Sequence, residues 1–143
     1  MNLSPHFTLE EFTRSQTAVR RGIDNTPPPE VIESLTLLCV YVLEPIRAAL
    51  GPVSISSGYR SVTLNRAIGG ASGSQHTKGE AADISVEGMD TEVLYTAIKS
   101  SPVPFDQLIQ EFGQWVHISY SANTRRQCLR AVKEGSKTVY LPD

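Results

Sequence analysis

A chain of 143 residues is the size of one domain, spanning 1–143, and can bury about two thirds of its unfolded surface. Hydrophobic residues make up 40% and charged residues 20%, a globular balance that excludes a disordered or fibrous protein. The net charge of -2 gives no general attraction to phosphate backbones, so no nucleic-acid partner is expected.

The opening MNLSPHFTLEEF has no basic segment leading into an apolar one, which predicts synthesis in the cytoplasm without a signal peptide. Within it, Thr8 and Glu11 form a capping box that starts a short helix, with Phe7 and Phe12 stapling it to the body. SQTAVRRGIDNTPPP reads as a polar connection, and its last proline suits the first turn of a helix. From Glu30 to Leu50 apolar residues recur at Val31, Ile32, Leu35, Leu38, Cys39, Val42, Leu43 and Ile46, the spacing of a helix with one buried face. Pro45 predicts a kink or break near Leu43, and Gly51-Pro52 the end. The apolar run Leu35 to Leu43 is too short to span a bilayer, so no membrane partner is expected. Cys39 belongs to the buried stripe, and Cys39 and Cys128 lack the paired spacing of a zinc knuckle or redox motif.

Val53 to Arg60 reads as a strand ending in SGYR, and SVTLNRAIGG as a short helix closed by Gly69-Gly70. Ala71 to Gly79 is small, polar and glycine-rich, hence a loop feeding a strand at Ala81 to Val86. Asp90 to Ser100 reads as a helix, broken by Pro102 and Pro104. Asp106 to Glu111 and Gln114 to Tyr120 are strands around a turn at Phe112-Gly113, followed by strand-like runs at Arg126 to Val132 and Thr138 to Leu141. Early helices and late, hairpin-spaced strands predict an α+β domain: a largely antiparallel sheet packed against helices.

Three residues in this layout carry metal-ligand chemistry. His76 lies in the glycine-rich loop, Asp83 in the strand that it feeds, and His117 in the strand QWVHIS. Strands of one sheet can bring these side chains to one point, and two imidazoles with one carboxylate bind Zn²⁺ while leaving a fourth position for water. Each also has a plainer reading: a solvent-exposed loop histidine, a carboxylate held by backbone amides, a satisfied core histidine.

The stretch SQHTKGEAADI resembles the S-x-H-x-x-G-x-A-x-D signature of the zinc peptidases related to D-Ala-D-Ala carboxypeptidases, phage L-alanyl-D-glutamate endopeptidases and the hedgehog signalling domain. SGYRS before it and WVHIS after it fall in the family's order, and FTLEEF and the proline-rich helix entry extend the resemblance over nearly the whole chain. The resemblance implies a hedgehog/DD-peptidase-like fold and makes His76, Asp83 and His117 the zinc ligands. It implies further that Gly79 lets the loop turn and that Ala81 and Ala82 leave room beside the metal. Ser74 would orient the first ligand or hold substrate, and Arg60 would grip a substrate carboxylate or carbonyl.

Many members of the wider family carry an acid three residues before the last histidine, where this chain has Gln114. Glu111, six residues before His117, resembles the hedgehog-like arrangement and is the expected general base, with Gln114 as a hydrogen-bond donor to substrate. An even offset along a continuous strand would keep Glu111 and His117 on one face. Trp115 is expected to line the cleft, with core packing as its other reading.

The resemblance thus implies a zinc-dependent peptidase that cuts a D-amino-acid-containing bond in peptidoglycan stem peptides, of D-Ala-D-Ala carboxypeptidase or L-Ala-D-Glu endopeptidase type. It would act at the cell wall as a monomer, delivered by a phage or prophage. The alternative, kept open by Gln114, is a zinc-stabilised binding or structural module of a phage that has lost hydrolysis.

Overall fold

The first ordered feature is a hairpin that the sequence reading did not contain: β1 (Asn2–Ser4) pairs antiparallel with β2 (Phe7–Thr8). A computed structural model describes the chain over residues 1–143. The capping box forms as read, with the Glu11 carboxylate accepting the Thr8 N–H at 2.8 Å and opening α1 (Leu9–Thr13). Phe7 and Phe12 are both buried, their ring centroids 6.3 Å apart.

The polar connection that follows contains a helix, α2 (Gln16–Arg21), and this corrects the sequence reading. Ser15 caps it by accepting the Ala18 amide at 3.2 Å, and Gly22 closes it in the left-handed region at φ 65°. Of its six residues only Ala18 is buried, so no apolar stripe announced it.

The core helix starts at Pro29 as expected, but Pro45 neither breaks nor sharply ends it. Helix α3 (Pro29–Leu38) runs through a π-helical turn, Cys39–Leu43, directly into α4 (Glu44–Leu50). Proline lacks an N–H, and its ring collides with the carbonyl four residues back. Widening the preceding turn, so that the Glu44 N–H reaches back to the Cys39 carbonyl, absorbs that conflict. The stripe from Val31 through Leu35, Leu38 and Val42 to Ile46 therefore stays buried on one side. Cys39 sits in it as a free thiol that burial pushes up to about 12, and Cys128 is free as well.

The main sheet has six strands: β3 (Val53–Ser57), β4 (Ala81–Val86), β5 (Gln107–Glu111), β6 (Trp115–Ser119), β7 (Gln127–Glu134) and β8 (Lys137–Pro142). Their spatial order is β3-β4-β6-β5-β7-β8, with every neighbouring pair antiparallel except β5 with β7. The β5–β6 turn places Phe112 at φ 59° and Gly113 at φ 68°, the paired left-handed geometry of a tight hairpin. Helix α5 (Val62–Ala67) is capped by Ser61, and α6 (Thr91–Lys99) follows Asp90, both where the sequence placed them.

Strand β3 stops at Ser57, short of the expected Arg60. Beyond it the Tyr59 N–H turns to the Phe12 carbonyl at 2.7 Å, and Gly58 lies so close to α1 that a Cβ there would stand 2.6 Å from the Phe12 Cα. A glycine at a strand end commonly marks such a close backbone approach.

Alternation divides the sheet into two faces. Ala82, Ile84, Leu108, Val116 and Ile118 point to the helices and join Leu35, Leu38, Leu94 and Ile98 in one core. The other face carries Asp83 opposite His117, His117 opposite Ile109, and Ile109 opposite Leu129. One rung along, Trp115 pairs with Glu111, Glu111 with Ala131, and Ala131 with Tyr140. Mixed polar and apolar, this second face is the floor of a cleft. No helix is long and apolar enough to cross a membrane.

Candidate metal centre and its cleft

His76 is carried on a 3-10 turn, Gln75–Lys78, within the stretch expected as loop. The Ser74 hydroxyl accepts the His76 N–H at 3.2 Å, and Gly79 ends the turn at φ 72°. The imidazole is held from behind: its Nδ1–H donates to the Gly58 carbonyl at 2.7 Å. That bond fixes the tautomer and presents Nε2 forward, the usual arrangement behind a metal-bound histidine.

Nε2 of His76 lies 3.3 Å from Asp83 Oδ1, and Nδ1 of His117 lies 3.2 Å from the same oxygen. The donor atoms of all three residues fall within 4.8 Å of one another. Bonds of about 2.0–2.1 Å in tetrahedral geometry put ligand atoms about 3.3 Å apart, so both measured separations fit the edges of a zinc tetrahedron. Donor chemistry agrees, with two imidazole nitrogens and one carboxylate oxygen, and the set opens on the cleft rather than being closed by a fourth side chain.

Burial alone would push the Asp83 carboxyl up. Hydrogen bonds and charge from His117 and His76 outweigh it and hold the group well below the usual carboxylate range, so Asp83 is anionic. Side-chain exposures of 3% for His76, 13% for Asp83 and 9% for His117 mean that little water competes at this point.

Glu111 stands beside the cluster, its Oε1 3.9 Å from His117 Nδ1. The two residues share a face across the β5–β6 hairpin, with Glu111 at the end of the strand before the turn, as read from the sequence. Burial raises the Glu111 carboxyl, the negative charge of Asp83 raises it further, and His117 and Arg60 pull it back. A carboxyl lifted in this way suits proton exchange near neutral pH better than an ordinary one.

Arg60 reaches the same cleft. Its backbone N–H donates to the His76 carbonyl at 3.1 Å, while its side-chain Nε is buried without a partner. Burial lowers its pKa, and the charges of Asp83 and Glu111 oppose that shift. Trp115 lines the cleft, edge-on to Phe112 at 5.8 Å between centroids. Gln114 is placed elsewhere: it is exposed at the hairpin tip, its N–H bonded to the Glu111 carbonyl at 3.0 Å, and it does not line the cleft. His6 lies apart, paired with Glu44 at 2.7 Å.

The cleft, about 750 Å³, has a far wall that sequence reasoning missed. Lys133, Thr138 and Tyr140 form it from β7 and β8. Only the register of the parallel β5–β7 pair brings them opposite Glu111, and no local motif encodes such a long-range pairing.

A second missed group lies behind the His76 turn. Asp106, buried to 2% exposure, accepts from Arg125 Nε at 2.7 Å, from Arg125 Nη2 at 3.1 Å and from Gln75 Nε2 at 2.8 Å. Burial pushes its carboxyl up, but these donors prevail and the net shift is downward. A depressed folded-state pKa contributes stability that is present above the unfolded value of about 3.9 and lost as pH falls through the folded value. Asp106→Asn should therefore cost about 2 kcal/mol near pH 7. Urea melts of both proteins between pH 7 and pH 3 check this, with a gap that narrows on acidification.

The sequence model of the family described as peptidase M15 matches residues 5–119 of this chain. A relative from Streptomyces albus G, named zinc D-Ala-D-Ala carboxypeptidase, is 44% identical over 50 residues. That alignment covers 34% of this chain and 20% of the relative, so the chain spans about a fifth of that protein's length.

Proposed function

The chain belongs to the peptidase M15 family, and from that premise we propose that residues 1–143 act as a single zinc-dependent peptidase domain. Its substrate would be a D-amino-acid-containing bond in peptidoglycan stem peptides, of the D-Ala-D-Ala or L-Ala-D-Glu kind. The observation that carries this reading is the two-histidine, one-carboxylate set, all within 4.8 Å, beside the raised carboxyl of Glu111 in an open cleft. The name of the Streptomyces albus G relative supports the substrate class.

His76, Asp83 and His117 would hold the metal. When bound there, zinc supplies a Lewis acid that polarises a carbonyl and acidifies water. Glu111 takes the proton of the attacking water and returns it to the leaving amine. Arg60 holds a substrate carboxylate or carbonyl with its planar fork, Trp115 bounds the peptide on one side, and Ser74 keeps the His76 turn in place. Gln114 has no part in the chemistry, since Glu111 supplies a carboxylate that the hairpin tip does not.

Digestion of purified peptidoglycan with the zinc-loaded chain, followed by mass spectrometry of the released fragments, tests the proposal. A new terminus beside a D-amino acid is the expected product. Stem peptides left intact at high enzyme concentration would contradict the reading.

A further inference from the structure

Behind Arg60 the cleft does not end. A second cavity, about 760 Å³, lies between α2 and the β3–α5 connection, and Arg60 and Ile68 line both spaces. Besides Arg60 it is lined by Arg14, at the end of α1, and Arg20, in the last turn of α2. No carboxylate lines it, and none of these three arginines makes an ion pair anywhere in the fold. Four acids act on its wall without lining it: Asp83 and Glu111 act on Arg60 from the cleft side, and Asp24 and Glu30 act on Tyr59. On its rim Val19 is 82% exposed, an apolar side chain free to lie against an aliphatic stem.

We propose that this cavity is an extension of the substrate cleft that takes a carboxylate carried by the peptide on the far side of Arg60 from the metal ligands. The proposal rests on the peptidase reading above and sharpens it: the bound peptide does not stop at Arg60. A strict carboxypeptidase needs its arginine at a closed end, where the terminal carboxylate is the last group of the substrate. Here the space beyond Arg60 is as large as the cleft itself and carries two more guanidinium groups, which favours an acidic peptide that continues past the cut. A concave wall with three cations and no anion raises the local concentration of such a group and orients it.

Binding is measured by calorimetry with the zinc-loaded Glu111→Gln chain, so that the probe is not consumed. The probes are one stem-peptide fragment with its internal carboxylates free and the same fragment with them amidated. The free acid is expected to bind roughly tenfold tighter than the amide, a preference that falls with added salt. Arg14→Ala combined with Arg20→Ala should abolish that preference, while Arg14→Lys with Arg20→Lys should keep most of it. Both side chains are exposed, so the fold should tolerate either pair. With the wild-type catalytic residue, the alanine pair should raise KM for the free acid and leave kcat within about twofold, since neither arginine reaches the reacting atoms. Equal binding of the two probes, or a preference that survives the alanine pair, would overturn the proposal. Binding with the expected preference but no hydrolysis by the wild-type chain would instead refute the peptidase reading and leave this site standing.

Discussion

Replacing Glu111 by glutamine should lower kcat by roughly 10²–10⁴-fold, the range that a positioned general acid-base contributes. Glutamine matches glutamate in size and keeps one acceptor oxygen, so the cleft should hold its shape. It cannot accept the proton of the attacking water at any pH where the protein is folded. Glu111 lies 3.9 Å from His117, whereas Asp83 lies within 3.3 Å of both histidines, so zinc content should stay near that of the native chain. KM should move little, because Glu111 is assigned to the proton and Arg60 to substrate binding. Steady-state kinetics on a defined stem peptide, with metal content measured on the same preparation, separate these outcomes. Full activity in the variant would remove Glu111 from the mechanism and reopen the identity of the base.

Gly79→Ala is the substitution expected to damage the site most through the backbone. Gly79 has φ 72°, a left-handed conformation that costs a residue with a Cβ roughly 1–2 kcal/mol. An added Cβ would also stand 2.8 Å from both the Val31 carbonyl oxygen and Val31 Cγ1, and 3.3 Å from Leu35 Cγ. Val31 and Leu35 sit on the core helix, Leu35 fully buried, so the loop has to move rather than the helix. Forcing a methyl group into such packing costs roughly 1–3 kcal/mol more. The sum, about 2–5 kcal/mol, is a large part of the 5–15 kcal/mol that holds a typical domain together. Because Gly79 ends the turn that carries His76, zinc affinity should fall together with the urea midpoint. An unchanged midpoint would show that the loop is not pinned against α3.

What the sequence could and could not reveal follows from how locally each feature is encoded. His76 and Asp83 stand seven residues apart around one glycine, and the motif is readable because turn and strand are both local. His117 taken singly reads equally as a satisfied core histidine, and it joined the other two only through the resemblance of WVHIS to the family's last motif. Pro29, Gly69-Gly70 and the Phe112-Gly113 turn marked their elements through residues with strong backbone preferences. Helix α2 escaped notice because it buries only Ala18, and a helix without an apolar stripe has no periodic signal. The π-helical turn escaped because Pro45 announces a conflict but not which neighbouring turn will absorb it. The Gly58 carbonyl behind His76, the Asp106 carboxylate behind Gln75 and the Tyr140 wall opposite Glu111 all depend on contacts between distant segments. No residue type near them in sequence states those contacts. Gln114 illustrates the converse: the sequence offered it as a hydrogen-bond donor to substrate beside Glu111 as base, but the hairpin register puts Glu111 in the cleft and Gln114 at the tip.

The central claim is that His76, Asp83 and His117 form a zinc site, and elemental mass spectrometry of the purified chain tests it most directly. About one zinc per native chain, and essentially none in His76→Ala at the same zinc concentration and neutral pH, is the predicted result. Native protein that takes up no zinc, or a His76→Ala variant that holds as much as the native chain, would contradict it.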